Sequence, residues 1–107
     1  MKTMTLDDFY KKHKQIDPED AMLDVRGQDE FSESRIEGSI NIPHLAVADY
    51  ADDLKKYKTV YIFCRRGARA QYAYKALEAA GLNNLVCVDD AGMEAWEERG
   101  YPYVTGD

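Results

Sequence analysis

Cysteine is scarce in this chain. Cys64 and Cys87 are the only two, and they form no Cys-x-x-Cys pair. With the two scattered histidines, His13 and His44, they give no zinc-ligand spacing. A disulfide-stapled scaffold is excluded, although one bond is possible on count alone. Proline and glycine are also sparse, three and seven in 107 residues, which excludes a collagen-like or low-complexity chain. No apolar run approaches the length of a membrane span. Met1 to Tyr10 is polar and lacks the apolar core of a secretory signal, which predicts a cytoplasmic protein. Positive charge is in deficit: 14 Lys and Arg stand against 20 Asp and Glu, a formal net charge of −6. An acidic surface argues against nucleic acid or an anionic membrane as the main partner, since both are polyanions.

What is present is an ordinary globular balance, 45% apolar and 32% charged. The length suits one compact domain, 1–107, with no room for a second core. Short apolar runs alternate with helical stretches, which predicts an α/β domain whose mainly parallel sheet carries helices on both faces. Thr5 can cap a helix in which Leu6, Phe9 and Tyr10 share a face. Strands are expected at Ala21–Val25, Ser39–Ile42, Thr59–Phe63 and Leu85–Val88. One or two helical turns fit Gln28–Ser34. A helix fits Leu45–Tyr57, with Leu45, Tyr50 and Leu54 as apolar contacts. Further helices fit Ala68–Ala80, ended by Gly81, and Ala91–Arg99, ended by Gly100. In such a sheet the ligand site lies at the carboxyl ends of the strands.

The segment Cys64-Arg65-Arg66-Gly67-Ala68-Arg69 joins the clearest strand to the clearest helix. That puts the Cys64 sulfur at the sheet's carboxyl edge, facing a helix N-terminus. The first N–H groups of a helix have no partner within it and, with the macrodipole, they favour an anion. Gly67 lets the loop curl so that successive N–H groups point inward. Arg65, Arg66 and Arg69 add positive charge. The placement favours the thiolate of Cys64, and the same donors suit an anionic substrate or a persulfide. A buried core thiol would need neither the glycine nor the arginines. Cys64 is therefore the candidate nucleophile. Arg65, Arg66, Gly67, Ala68 and Arg69 are the candidate substrate-binding residues.

At this point the chain resembles the rhodanese family along nearly its whole length. That family's loop reads Cys-x-x-Gly-x-Arg, matched by Cys64 to Arg69. Asp24-Val25-Arg26 with Glu30-Phe31, Arg35-Ile36-Glu37-Gly38-Ser39-Ile40-Asn41-Ile42-Pro43, and Gly92 to Trp96 with Gly100-Tyr101-Pro102 resemble three further motifs in order. The chain departs at Arg35, where the family has His, and at Ala91, where it has the first Gly of a pair. Ala91 could alter how closely that backbone approaches the active loop.

The resemblance implies a five-stranded parallel sheet and a sulfurtransferase that needs no metal or organic cofactor. Cys64 would take sulfur from a small anionic donor such as thiosulfate. It would pass the sulfur to cyanide, to a thiol, or to or from a protein partner. Four residues separate Cys64 from Arg69. In this superfamily that short loop goes with sulfur transfer, and a loop one residue longer goes with phosphatases and arsenate reductases. A non-catalytic regulatory module is a further reading, though such domains often lack the cysteine.

Several residues have plainer expectations. Arg69 could bind substrate or brace the loop by pairing with a carboxylate such as Asp24. Arg26 with Asp24 or Glu30 reads as a structural pair. Trp96 and Cys87 read as core, and His44 as a local hydrogen-bonding residue.

Overall fold

The computed structural model describes residues 1–106. Its centre is a sheet of five strands in the order β1-β6-β5-β2-β4, with all four neighbouring pairs parallel. The strands are β1 (Thr3–Met4), β2 (Asp20–Asp24), β4 (Ile40–Asn41), β5 (Thr59–Phe63) and β6 (Leu85–Val88). A small antiparallel ribbon pairs β3 (Ser34–Arg35) with β7 (Val104–Thr105). The helices are α1 (Leu6–His13), α2 (Gln28–Glu33), α3 (Ala51–Leu54), α4 (Ala68–Ala79) and α5 (Met93–Glu98). This is the expected α/β fold, with β5 and α4 at nearly the expected bounds.

The period-2 alternation of the strands divides the core. Leu23, Val60, Ile62 and Cys87 pack with Val47, Leu54 and Leu77 on one side of the sheet. Met22, Tyr61, Phe63 and Val86 pack with Leu6, Phe9 and Trp96 on the other. Helix α1 is capped as expected: Thr5 Oγ1 accepts from the Asp8 N–H at 3.1 Å. Leu6 and Phe9 are its buried residues.

The expected helix Leu45–Tyr57 is corrected. Residues Val47–Tyr50 form a 3₁₀ turn and only Ala51–Leu54 is α-helical. The buried face is Val47, Ala51 and Leu54, spaced i, i+4, i+7. Leu45 is 75% exposed and Tyr50 45%, so neither is the core contact expected of it. The expected strand Ser39–Ile42 shortens to Ile40–Asn41, and Ala91–Arg99 begins as a helix only at Met93.

Candidate functional site

The β5 strand ends at Phe63, and Cys64 follows at the carboxyl edge of the sheet. The strand end is tied to its neighbour by the Val25 N–H donating to the Phe63 carbonyl at 3.0 Å. Beyond Cys64 the chain must turn into α4 within three residues. Gly67 does this with φ +122°, a conformation that L side chains rarely adopt. A Cβ there would also sit 2.4 Å from the Asp89 carbonyl oxygen. The turn aims the backbone N–H groups of Gly67 and Ala70 at the Cys64 sulfur, at 3.0 and 3.3 Å. Cys64 is 1% exposed. A cleft of about 260 Å³ beside it is lined by Cys64, Arg65, Arg66, Ala68 and Arg69, five of the six residues singled out in the sequence.

The loop is braced from two directions. On one side, Arg69 donates to both oxygens of Glu30, at 2.6 and 2.9 Å. Glu30 in turn accepts from the Gly27 N–H at 3.0 Å, at the start of α2. The Arg69 guanidinium holds the Glu30 carboxyl at about 2, well below its ordinary 4.5. The carboxylate partner suggested for Arg69 was Asp24, and Glu30 takes that place. Asp24 is engaged elsewhere: Arg26 donates Nε to both its oxygens at 3.1 Å and Nη2 to Oδ2 at 2.8 Å. Both residues are buried, and Arg26 also donates to the Ser34 carbonyl. Burial pushes the Asp24 carboxyl up, and the Arg26 contacts oppose it. The pair holds the end of β2, as the sequence suggests.

On the other side, the N-terminus of α5 reaches the loop carbonyls. The Met93 N–H donates to Cys64 O at 2.8 Å, and the Glu94 N–H to Arg65 O at 3.3 Å. Gly92 allows this approach, since a Cβ there would lie 2.0 Å from Cys64 O. The close approach suspected around Ala91 is made by Gly92. The Glu94 carboxylate then takes both remaining arginines. Arg65 donates Nε to it at 3.1 Å, with its Nη2 2.9 Å from the same oxygen, and Arg66 donates at 3.0 and 3.2 Å. The Arg66 guanidinium lowers the Glu94 carboxyl.

Two residues of this arrangement went without a role in the sequence reading. In the sequence Glu94 stands only inside a motif, and Glu30 is a motif residue and a partner for Arg26 rather than for Arg69. An acid in the first turn of the helix after Gly92 is the signal that could have marked Glu94. His44 packs edge-on against the exposed Tyr72 ring at 5.4 Å. Cys87 is buried, and that burial pushes its thiol up to about 12.

Comparison with known proteins agrees with this fold. Residues 5–99 match the family model described as a rhodanese-like domain. The chain is 28% identical over 95 residues to the putative sulfur carrier protein YrkF of Bacillus subtilis. That match covers 87% of this chain but 49% of the relative, so the chain spans about half that protein's length. It is 29% identical over 84 residues to the thiosulfate sulfurtransferase GlpE of Actinobacillus succinogenes, covering 78% of this chain and 75% of that one. The crystal structure of a rhodanese-related protein from Thermoplasma volcanium superposes with a TM-score of 0.81 at 31% identity. There the match covers 97% of this chain and 98% of that one.

Proposed function

The chain belongs to the rhodanese-like family, and from that premise we propose that it is a single-domain sulfurtransferase that carries sulfur on Cys64. One observation carries the reading: two backbone N–H groups converge on the Cys64 sulfur at the floor of a small cleft. Such donors hold negative charge on a sulfur without a base beside it.

The reaction is a two-step exchange through a covalent intermediate. The Cys64 thiolate attacks the outer sulfur of thiosulfate. A new S–S bond forms, the donor's S–S bond breaks, and sulfite leaves with the bonding pair. The resulting persulfide keeps its charge on the outer sulfur, within reach of the N–H groups and of Arg65, Arg66 and Arg69. An acceptor, cyanide or a thiolate, attacks that outer sulfur and returns Cys64 to the thiolate. Gly67 and Ala68 contribute backbone shape, and Arg69 braces the loop through Glu30.

The test is thiocyanate formation from thiosulfate and cyanide. Cys64→Ser should abolish it, and turnover surviving that substitution would sink the reading. A second reading keeps the nucleophile and changes the donor. The sulfur-carrier name of the Bacillus subtilis relative and the occupied Arg65 and Arg66 favour a protein persulfide over a free anion. Intact-mass analysis separates the two. The first requires a gain of one sulfur atom, reversed by dithiothreitol, on treatment with thiosulfate. The second requires that gain only from a persulfidated protein.

A further inference from the structure

Every arginine around Cys64 already has a carboxylate partner. Arg69 is held by Glu30, while Arg65 and Arg66 share one group, Glu94. Two guanidinium ions thus meet one carboxylate at the mouth of the cleft, and the Glu98 charge lies close enough to act on Arg66 as well. The main chain fixes where Glu94 sits, because its N–H donates to Arg65 O and the preceding N–H to Cys64 O. The arginines are the more exposed side, at 55% and 71%, and Glu94 is 34% exposed, so small solutes reach all three. Glu94, Arg65 and Arg66 also line a further cleft, of about 180 Å³, with Asp90, Ala91 and Gly92.

We infer that Glu94 sets the anion selectivity of the Cys64 loop, as a built-in competitor that shares Arg65 and Arg66 with any anionic group arriving at the sulfur. The inference deepens the sulfur-transfer reading and rests on it for the identity of the incoming donor. A small dianion such as thiosulfate must draw the arginines away from Glu94 before it gains their charge. A persulfide presented without negative charge near its sulfur meets no such competition. Glu94 therefore tilts the loop away from small anionic donors. It is a positioning residue, acting through the two arginines.

Alkylation of Cys64 by iodoacetate and by iodoacetamide isolates this effect. Both reagents bond their methylene carbon to the sulfur and expel iodide, and they differ by one carboxylate. Peptide mass mapping scores Cys64 apart from Cys87. The ratio of the two rates cancels changes in loop geometry and requires no sulfur transfer. Glu94→Gln, which keeps the side chain's size and removes its charge, should raise the iodoacetate-to-iodoacetamide ratio about two- to fivefold at low salt. The gain should shrink as salt screens the exposed groups. In a chain already carrying Arg65→Gln and Arg66→Gln, the gain should disappear. A ratio indifferent to E94Q, or a gain that persists without the arginines, overturns the inference. A wild type whose Cys64 gains sulfur neither from thiosulfate nor from a persulfidated protein, yet whose ratio responds to E94Q, would overturn the sulfur-transfer reading alone. With thiosulfate as donor, E94Q should lower KM more than it changes kcat, and a fall in kcat alone counts against the inference.

Discussion

At the scale of single residues, the chemistry of the site is a matter of where charge is fixed. Cys64 sits against two N–H donors, and the ion pair of Arg69 with Glu30 braces the loop beside it. That pair has a testable pH signature. Glu30 is depressed in the fold to about 2 from an ordinary 4.5. A carboxyl depressed by folding contributes stability that is fully present above its unfolded value and is lost as pH falls through its folded value. Glu30→Gln deletes that contribution at every pH. The stability gap between wild type and E30Q should therefore be widest above pH 4.5 and close as pH falls toward 2. Urea unfolding of both proteins across that range measures it. A gap that stays constant into acid would mean that the Glu30 charge adds nothing to the fold. The pair is a third exposed on each side, so the gap should be modest and should narrow with added salt.

At the scale of elements, the site is a junction of β5, α4 and the N-terminus of α5. The first two were legible in the sequence. A β-branched and aromatic run meets a helical run at Cys64 and Gly67, and both signals are local. The α5 contribution leaves no periodic trace, because Gly92 and Glu94 meet the Cys64 loop from 28 to 29 residues away, and only the family resemblance pointed to a close backbone approach near Ala91. The two-residue strands β1, β3 and β7 are also too short for any period to register. They exist because a partner strand offers hydrogen bonds. The helix expected from Leu45 failed on phase: the face that packs begins at Val47.

The α5 junction predicts a contrast between two glycines. In Gly92→Ala the new Cβ would stand 2.0 Å from Cys64 O, so the loop or the helix must shift. The cost should be about 1–3 kcal/mol of stability, the usual cost of overpacking. Turnover should fall by about tenfold or more even where the variant is fully folded, because the displaced carbonyl belongs to Cys64, the proposed nucleophile. Gly100→Ala meets nothing within 4 Å and is disfavoured only by its φ of +74°. It should lose about 1 kcal/mol and keep its specific activity. Thermal melts paired with thiocyanate assays well below both Tm values distinguish the two. Equal activity in both variants would refute a role for α5 in holding the loop.

At the scale of the whole molecule, the sheet couples the Cys64 loop to a clasp formed by the last residues described. Trp96 lies on the side opposite Leu77 and the rest of the α4 packing, is fully buried, and belongs to the same helix whose N-terminus holds the Cys64 loop. Its indole N–H donates to the Pro102 carbonyl at 2.8 Å, and Tyr101 stacks on Tyr10 with ring centres 3.8 Å apart. The chain then pairs β7 with β3, and the Gly106 N–H donates to the Glu33 carbonyl at 3.2 Å. The last residues thus pin α5 from behind, although they lie far from the sulfur. Removing residues 102–107 would leave the buried indole N–H without its acceptor and free the outer face of β3. The unsatisfied donor and the lost strand pairs together should cost about 2–4 kcal/mol. For a domain of this size that is a fall in Tm of about 10 °C or more. The loss should also reach the Cys64 loop: at a temperature where the shortened chain is still folded, iodoacetamide should alkylate Cys64 at a changed rate, because the N–H groups of Met93 and Glu94 that hold the loop carbonyls ride on the loosened helix. Retention of both the Tm and the alkylation rate would show that α5 is held by Phe9 and the sheet alone.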